Sequence, residues 1–215
     1  MSPELATGAS IDSGMALWIA LAALPLLLVA CTAFTKLSIV LSALRVGLGA
    51  EALLPMGLML ALALVLAVVA MGPTGLEIAN AVEAAGGIES LFAQQGAAAA
   101  SAWLAVFEPL VEFMRAHAHA PEIEFFANLG GAPPSDLRVL VPAFMISELA
   151  EALTLCVLLL VPFVLVDVVV AQVLVLLELG NVQARLVALP AKILLFLAAG
   201  GWDLLVGSLV KGYLA

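Results

Sequence analysis

Basic charge is scarce in this chain: seven Lys and Arg stand against sixteen Asp and Glu, giving a net charge of −9 and a pI near 4.5. No stripe of cations is available to neutralise a phosphate backbone, so no nucleic-acid partner is expected. Charge of either sign is sparse as well, at 11% of residues, where soluble domains carry about 25%. Cysteine is limited to Cys31 and Cys156, each inside an apolar run where a thiol packs as a small hydrophobe, and no disulfide is expected. Walker loop, dinucleotide fingerprint, His-Glu-x-x-His and nucleophile elbow are all missing. Without them the chain reads as neither an enzyme nor a cofactor protein, and energy for any transport has to come from elsewhere.

What fills the space is apolar: 65% of the residues are hydrophobic and the mean hydropathy is +1.25. That composition belongs to helical membrane proteins, so the expected fold class is all-α, with four apolar segments folded as kinked hairpins. Residues 1–14 form a polar N-terminal segment without Lys or Arg. The positive region of a signal peptide is therefore missing, and the first apolar run is expected to stay in the mature protein. Met15 to Thr35 and Ala52 to Leu76 are each long enough to cross a hydrocarbon core of about 30 Å as a helix. Pro25 should kink the first, because a turn loses its hydrogen bond there. Residues 15–76 thus read as one hairpin. Lys36 and Arg45 lie between its arms, nine residues apart and so on opposite faces of a helix.

Residues 77–138 form an acidic, partly helical soluble region, with eight acids against Arg115 and Arg138. Within it Trp103, Val106, Phe107, Leu110, Phe113 and Met114 recur at helical spacing while Glu108, Glu112 and Arg115 take the other side, the pattern of an amphipathic helix. Gly130 to Asp136 is a turn-rich break, after which Pro142 suits the first turn of a new helix. Residues 139–215 form a second apolar hairpin region. Its arms carry Glu148, Glu151, Asp167, Glu178, Lys192 and Asp203. A charge at a lipid-facing helix centre costs about 2.5–3.5 kcal/mol, so these faces should meet protein or a wet cavity. Pro162 adds an expected kink.

Few residues suggest chemistry. His117 and His119, with Glu122 and Glu124 nearby, are two apart and point to different helix sides; surface polar residues are the reading, not a metal site. Asp167 and Asp203 lack the tyrosine and Gly-x-Gly-Asp flanks of an intramembrane aspartyl protease. A small-molecule or ion transporter should show repeated, inverted halves, and none is visible. Small pairs such as Ser38 with Ser42 and Ala63 with Ala67 would let helices approach closely. The basic residues cluster between the first two arms and near the last turn, which places the N terminus and the acidic region on the outer side.

The stretch Thr32-Ala33-Phe34-Thr35-Lys36-Leu37-Ser38-Ile39-Val40-Leu41-Ser42-Ala43-Leu44-Arg45-Val46-Gly47-Leu48-Gly49 resembles the signature of the FliP/SctR family of type III secretion export-gate proteins. Met71-Gly72-Pro73, Leu140-Val141-Pro142-Ala143-Phe144-Met145-Ile146-Ser147-Glu148-Leu149, Val161 to Asp167, Ala188-Leu189-Pro190-Ala191-Lys192 and Gly201-Trp202 resemble later blocks of that family, in the same order. The resemblance implies a subunit in five copies that joins two smaller hydrophobic partners and further export-gate membrane proteins. Together they would form a helical, conical pore for unfolded polypeptides. It implies a bacterial inner-membrane location, in contact with lipid, with the assembly extending to the periplasmic side. Lys36 and the run Phe113-Met114 with His117 and Phe125-Phe126 look more like injectisome members than flagellar ones. The resemblance also implies a gate at the turn Gly180-Asn181-Val182-Gln183 with Arg185. There the family's methionine run is missing, and Met145 is the last methionine of this chain. The other departures are Gly200 in place of aspartate before Gly201-Trp202, and Ala150 in place of lysine after Leu149. Lys36, Arg45, Glu148, Asp167 and Lys192 are expected to act as buried charges that hold the assembly together.

Overall fold

The computed structural model describes Ala22 and residues 29–94 and 96–214. The N-terminal segment, most of the first apolar run and its Pro25 lie outside the described residues. Among those described the chain is all-helical, with α1 (Phe34–Leu48), α2 (Met56–Ala70), α3 (Gly72–Ala84), α4 (Gly87–Ala93), α5 (Gly96–His117), α6 (Ala120–Gly130), α7 (Leu137–Leu176), α8 (Ala184–Ala198) and α9 (Gly201–Leu214).

The 40-residue α7 is the axis of the fold. At about 1.5 Å per residue it is roughly twice the length needed to cross a bilayer core. α1 lies along it, with α6, α8 and α5 packed on other stretches, and α2 covers the far side of α1. On α1 the buried Leu37, Val40, Leu41, Leu44 and Leu48 recur every three or four residues, which puts one stripe against α7. Ala63 and Ala67 of α2 are also buried, where their small side chains allow close packing. Gly47 serves the same end from α1: a Cβ there would fall 2.5 Å from Leu160 and 2.9 Å from Phe163 of α7.

Two sequence expectations are corrected here. Ala52 to Leu76 is not one rod; α2 ends at Ala70 and the chain bends 62° into α3, because Pro73 at the start of α3 has no N–H to continue the ladder. The second hairpin region is bent as well, as its kinked reading expects, by 62° between α8 and α9. Gly200 adopts φ +62 there, and a Cβ on Gly201 would lie 2.7 Å from the Phe196 carbonyl oxygen, so two adjacent glycines make the corner. Pro142 sits beyond the first turn of α7, since the Asp136 carboxylate accepts from the Arg138 N–H and starts the helix earlier. α7 also runs through Pro162 as one unbroken helix.

By length and composition α7 alone suits a membrane crossing among the described residues, or three spans exist if each bent pair counts as one. In α5, Val106, Phe113 and Met114 are buried and Glu108, Glu112 and Arg115 exposed, the amphipathic division expected, although Phe107 stays exposed.

Candidate functional site

Two charge clusters and one turn gather the residues singled out above. In the first cluster Lys36, on α1, is 5% exposed. Its Nζ lies 2.5 Å from Glu151 Oε2 and 3.9 Å from Glu148 Oε1, both on α7, and 4.6 Å from the centre of the Tyr213 ring. An ammonium so enclosed needs that company, because a buried unpaired charge is prohibitively costly. Glu148 is 1% exposed and accepts the Tyr213 hydroxyl at Oε2, while its Oε1 is buried without a hydrogen bond. Tyr213 thereby fastens the end of α9 to α7.

Glu151 has a second partner. His119, at the junction of α5 and α6, places Nε2 2.8 Å from Glu151 Oε1, and its backbone N–H donates to Ser147 Oγ at 2.8 Å. His117 is tucked between the rings of Phe113 and Tyr213, with Nδ1 2.8 Å from the Phe113 carbonyl oxygen. The two histidines are therefore wired into helix contacts and are not simple surface polar groups. Among the described residues no group of three His, Cys, Asp or Glu is placed to hold a metal ion.

The second cluster is centred on Lys192 of α8, which is 6% exposed. Its Nζ donates to Asp167 Oδ2 of α7 at 2.7 Å and to the Gly47 carbonyl oxygen of α1 at 2.9 Å. The absent side chain at Gly47 is what lets three helices converge there. Beside this pair is a cavity of about 460 Å³ whose polar lining comprises Glu51, Asp167, Arg185 and Lys192.

Residues 177–183, joining α7 to α8, are all exposed. The turn opens on Glu178 in the left-handed region at φ 57. Gly180, Asn181, Val182 and Gln183 reach into open space, but Arg185 pairs with Glu51 in the loop between α1 and α2. The Glu51 carboxyl is held below its usual range by its own backbone N–H, and by Arg185 and Arg45. Arg45 itself forms no ion pair among the described residues: it donates to the carbonyl oxygens of Leu54 and Glu51 and braces that same loop. The reason is local. Past Gly49 the loop turns its carbonyls back toward the helix end, where a guanidinium serves them best.

Lys36, Glu148, Asp167 and Lys192 thus meet partners inside one chain, so these pairs need no second copy. Sequence reasoning missed Tyr213, Glu151 and Gly47 as their partners, and Glu51 as the partner of Arg185. Tyr213 could have been found, because it is the single tyrosine of the chain and lies in an apolar segment, where a hydroxyl needs an acceptor. Glu151 follows Glu148 by three residues and so shares its helix face.

Comparison with known proteins gives one consistent answer. Residues 17–209 match the model of the FliP family. The chain is 32% identical over 211 residues to the virulence protein YscR of Salmonella typhimurium, covering 90% of this chain and 92% of that one. It is 34% identical over 203 residues to the flagellar biosynthetic protein FliP of Aquifex aeolicus, covering 90% and 82%. It is 32% identical over 209 residues to the hypersensitivity response secretion protein HrcR of Ralstonia nicotianae, covering 91% and 94%.

Proposed function

Because this chain belongs to the FliP family, whose members are parts of the type III secretion and flagellar export apparatus and not enzymes, we propose that it is a pore subunit of an export gate in the bacterial inner membrane. Several copies, five by the family resemblance, would line a passage for unfolded polypeptide together with two smaller hydrophobic subunits. The observation that carries this reading is the family match, which runs from residue 17 to residue 209 and so covers every charged residue of the two clusters.

The geometry supports it further. α7 exposes Leu158, Val161, Val164, Leu165, Val168 and Val169, an aliphatic surface one chain leaves bare and which lipid or neighbouring subunits would cover. Glu148 and Glu151 of α7 are meanwhile paired with Lys36 of α1, and Asp167 with Lys192 of α8. In this reading the turn Gly180 to Arg185 lines the constriction. It is sealed by Val182, Gln183 and partner residues, and the acidic region 77–138 lies on the outer face of the membrane.

We favour the injectisome branch on Lys36 and the α5–α6 aromatic run; a flagellar subunit is the second reading, and its motive is the equal level of identity to flagellar relatives. Deleting the gene tests both. Loss of secreted effector proteins with motility intact is expected, loss of motility alone would move the chain to the flagellar branch, and normal secretion with normal motility would remove it from either.

A further inference from the structure

The imidazole of His119 stands between two carboxylates that belong to different helices. Nε2 is 2.8 Å from Glu151 Oε1 on α7, and Nδ1 is 3.9 Å from Glu122 Oε2 on α6. That Glu122 oxygen is buried and has no hydrogen-bond partner. A neutral imidazole carries one N–H, so it can donate to one of the two acids and must turn a lone pair toward the other. Only the doubly protonated ring serves both. Histidine is also the side chain whose charge ordinarily changes between about pH 5 and 8.

The ring is placed where such a change would be felt. His119 is the residue before α6, and its backbone N–H to Ser147 is a bond from the α6 start to α7. Its side chain is 44% exposed, so protons reach it. We propose that His119 is a proton-operated latch: protonation joins Glu122 and Glu151 through one imidazolium and holds α6 down on α7, and loss of the proton loosens that docking.

The surroundings are consistent with one site of control. From α7 the ring meets Glu151 while the backbone N–H of His119 donates to Ser147, and Glu148 lies one turn away on the same helix. From α1, Lys36 holds the other oxygen of Glu151, so Glu151 is oriented whichever state His119 adopts. α9 contributes Ser208 and Gly212 to the adjoining cavity of about 340 Å³, neither of them charged. His117, on α5, is occupied by the Phe113 carbonyl and the Tyr213 ring and does not face either acid of the latch.

Amide hydrogen exchange over residues 120–130, in the full chain held in its export complex in detergent and corrected for intrinsic exchange rates, reads the latch directly. Protection of α6 is expected to be about threefold to fivefold higher at pH 5.5 than at pH 8, the scale of a partly exposed ion pair. His119→Gln, which keeps one donor to Glu151 but cannot charge, is expected to abolish the difference. Glu122→Gln is expected to shrink it without touching the Glu151 contact, and serves if His119→Gln fails to fold. His117→Gln is expected to behave as the parent chain. A parent chain with equal protection at both pH values overturns the proposal. So does a pH response that survives in His119→Gln, one that is undiminished in Glu122→Gln, or one that His117→Gln removes.

Discussion

Lys192 Nζ stands 2.7 Å from Asp167 Oδ2, across the turn that joins α7 to α8. The two residues are 25 positions apart, and the same ammonium also holds the Gly47 carbonyl, so one buried cation sets how the α7–α8 hairpin closes against α1. Asp167→Ala leaves Lys192 with a single neutral acceptor. The Asp167 side chain is 47% exposed, which lets water replace part of the lost interaction. Thermal unfolding in detergent should therefore show a loss of about 1–3 kcal/mol, below the roughly 3–5 kcal/mol of a fully buried pair. A loss below about 0.5 kcal/mol, the scale of ordinary surface substitutions, would mean that the pair does not hold the hairpin.

Tyr213→Phe removes the one hydrogen bond to Glu148 without changing the packing of the ring. Glu148 would be left buried with only Lys36, 3.9 Å away, and the variant should lose about 1–3 kcal/mol. In the double-mutant cycle with Glu148→Gln the two effects should be strongly non-additive. Additive losses would show that the two side chains do not act together.

Acid should loosen the start of α7 in a definite window. Arg138 bonds to the Asp136 carboxylate and holds its pKa at about 2, against 3.8 for an ordinary aspartate. A lowered carboxyl contributes in full above the ordinary value and fades as pH falls through the folded one. Exchange protection of residues 137–141 should thus decline between about pH 4 and pH 2. Asp136→Asn, which cannot lose a charge, should flatten that decline. An identical decline in the variant would assign it to other acids.

Deleting Val182 and Gln183 tests the proposed constriction. The turn is exposed on all sides in the single chain and Arg185 is anchored to Glu51 outside the deleted pair, so assembly should survive. Small-ion leakage in cells expressing the whole gate should rise, because neither a methionine run nor a longer turn is there to compensate. Unchanged leakage with an intact complex places the seal elsewhere.

Much of this fold was legible in the residues themselves, for reasons that are local. Helical spacing of Val106, Phe113 and Met114 marked the buried side of α5, and the cost of charge in lipid marked Glu148, Asp167 and Lys192 as residues with protein around them. What could not be read was pairing. Lys36 meets Glu151 across 115 positions, a relation set by the packing of α1 on α7 that no spacing rule encodes. The places of the bends escaped for a different reason. Hydropathy is blind to backbone direction, so Ala52 to Leu76 reads as one apolar rod even though Pro73 turns it. Gly200 and Gly201 do the same to the last segment.

The central claim is that this chain is one of several copies in an export gate, and the mass of the intact particle decides it. Co-expressed with its neighbouring genes, purified in mild detergent and weighed by native mass spectrometry, the chain should emerge in a particle containing several copies of itself together with smaller hydrophobic subunits. A lone monomer or a simple dimer of 22.0 kDa chains under those conditions would contradict the account.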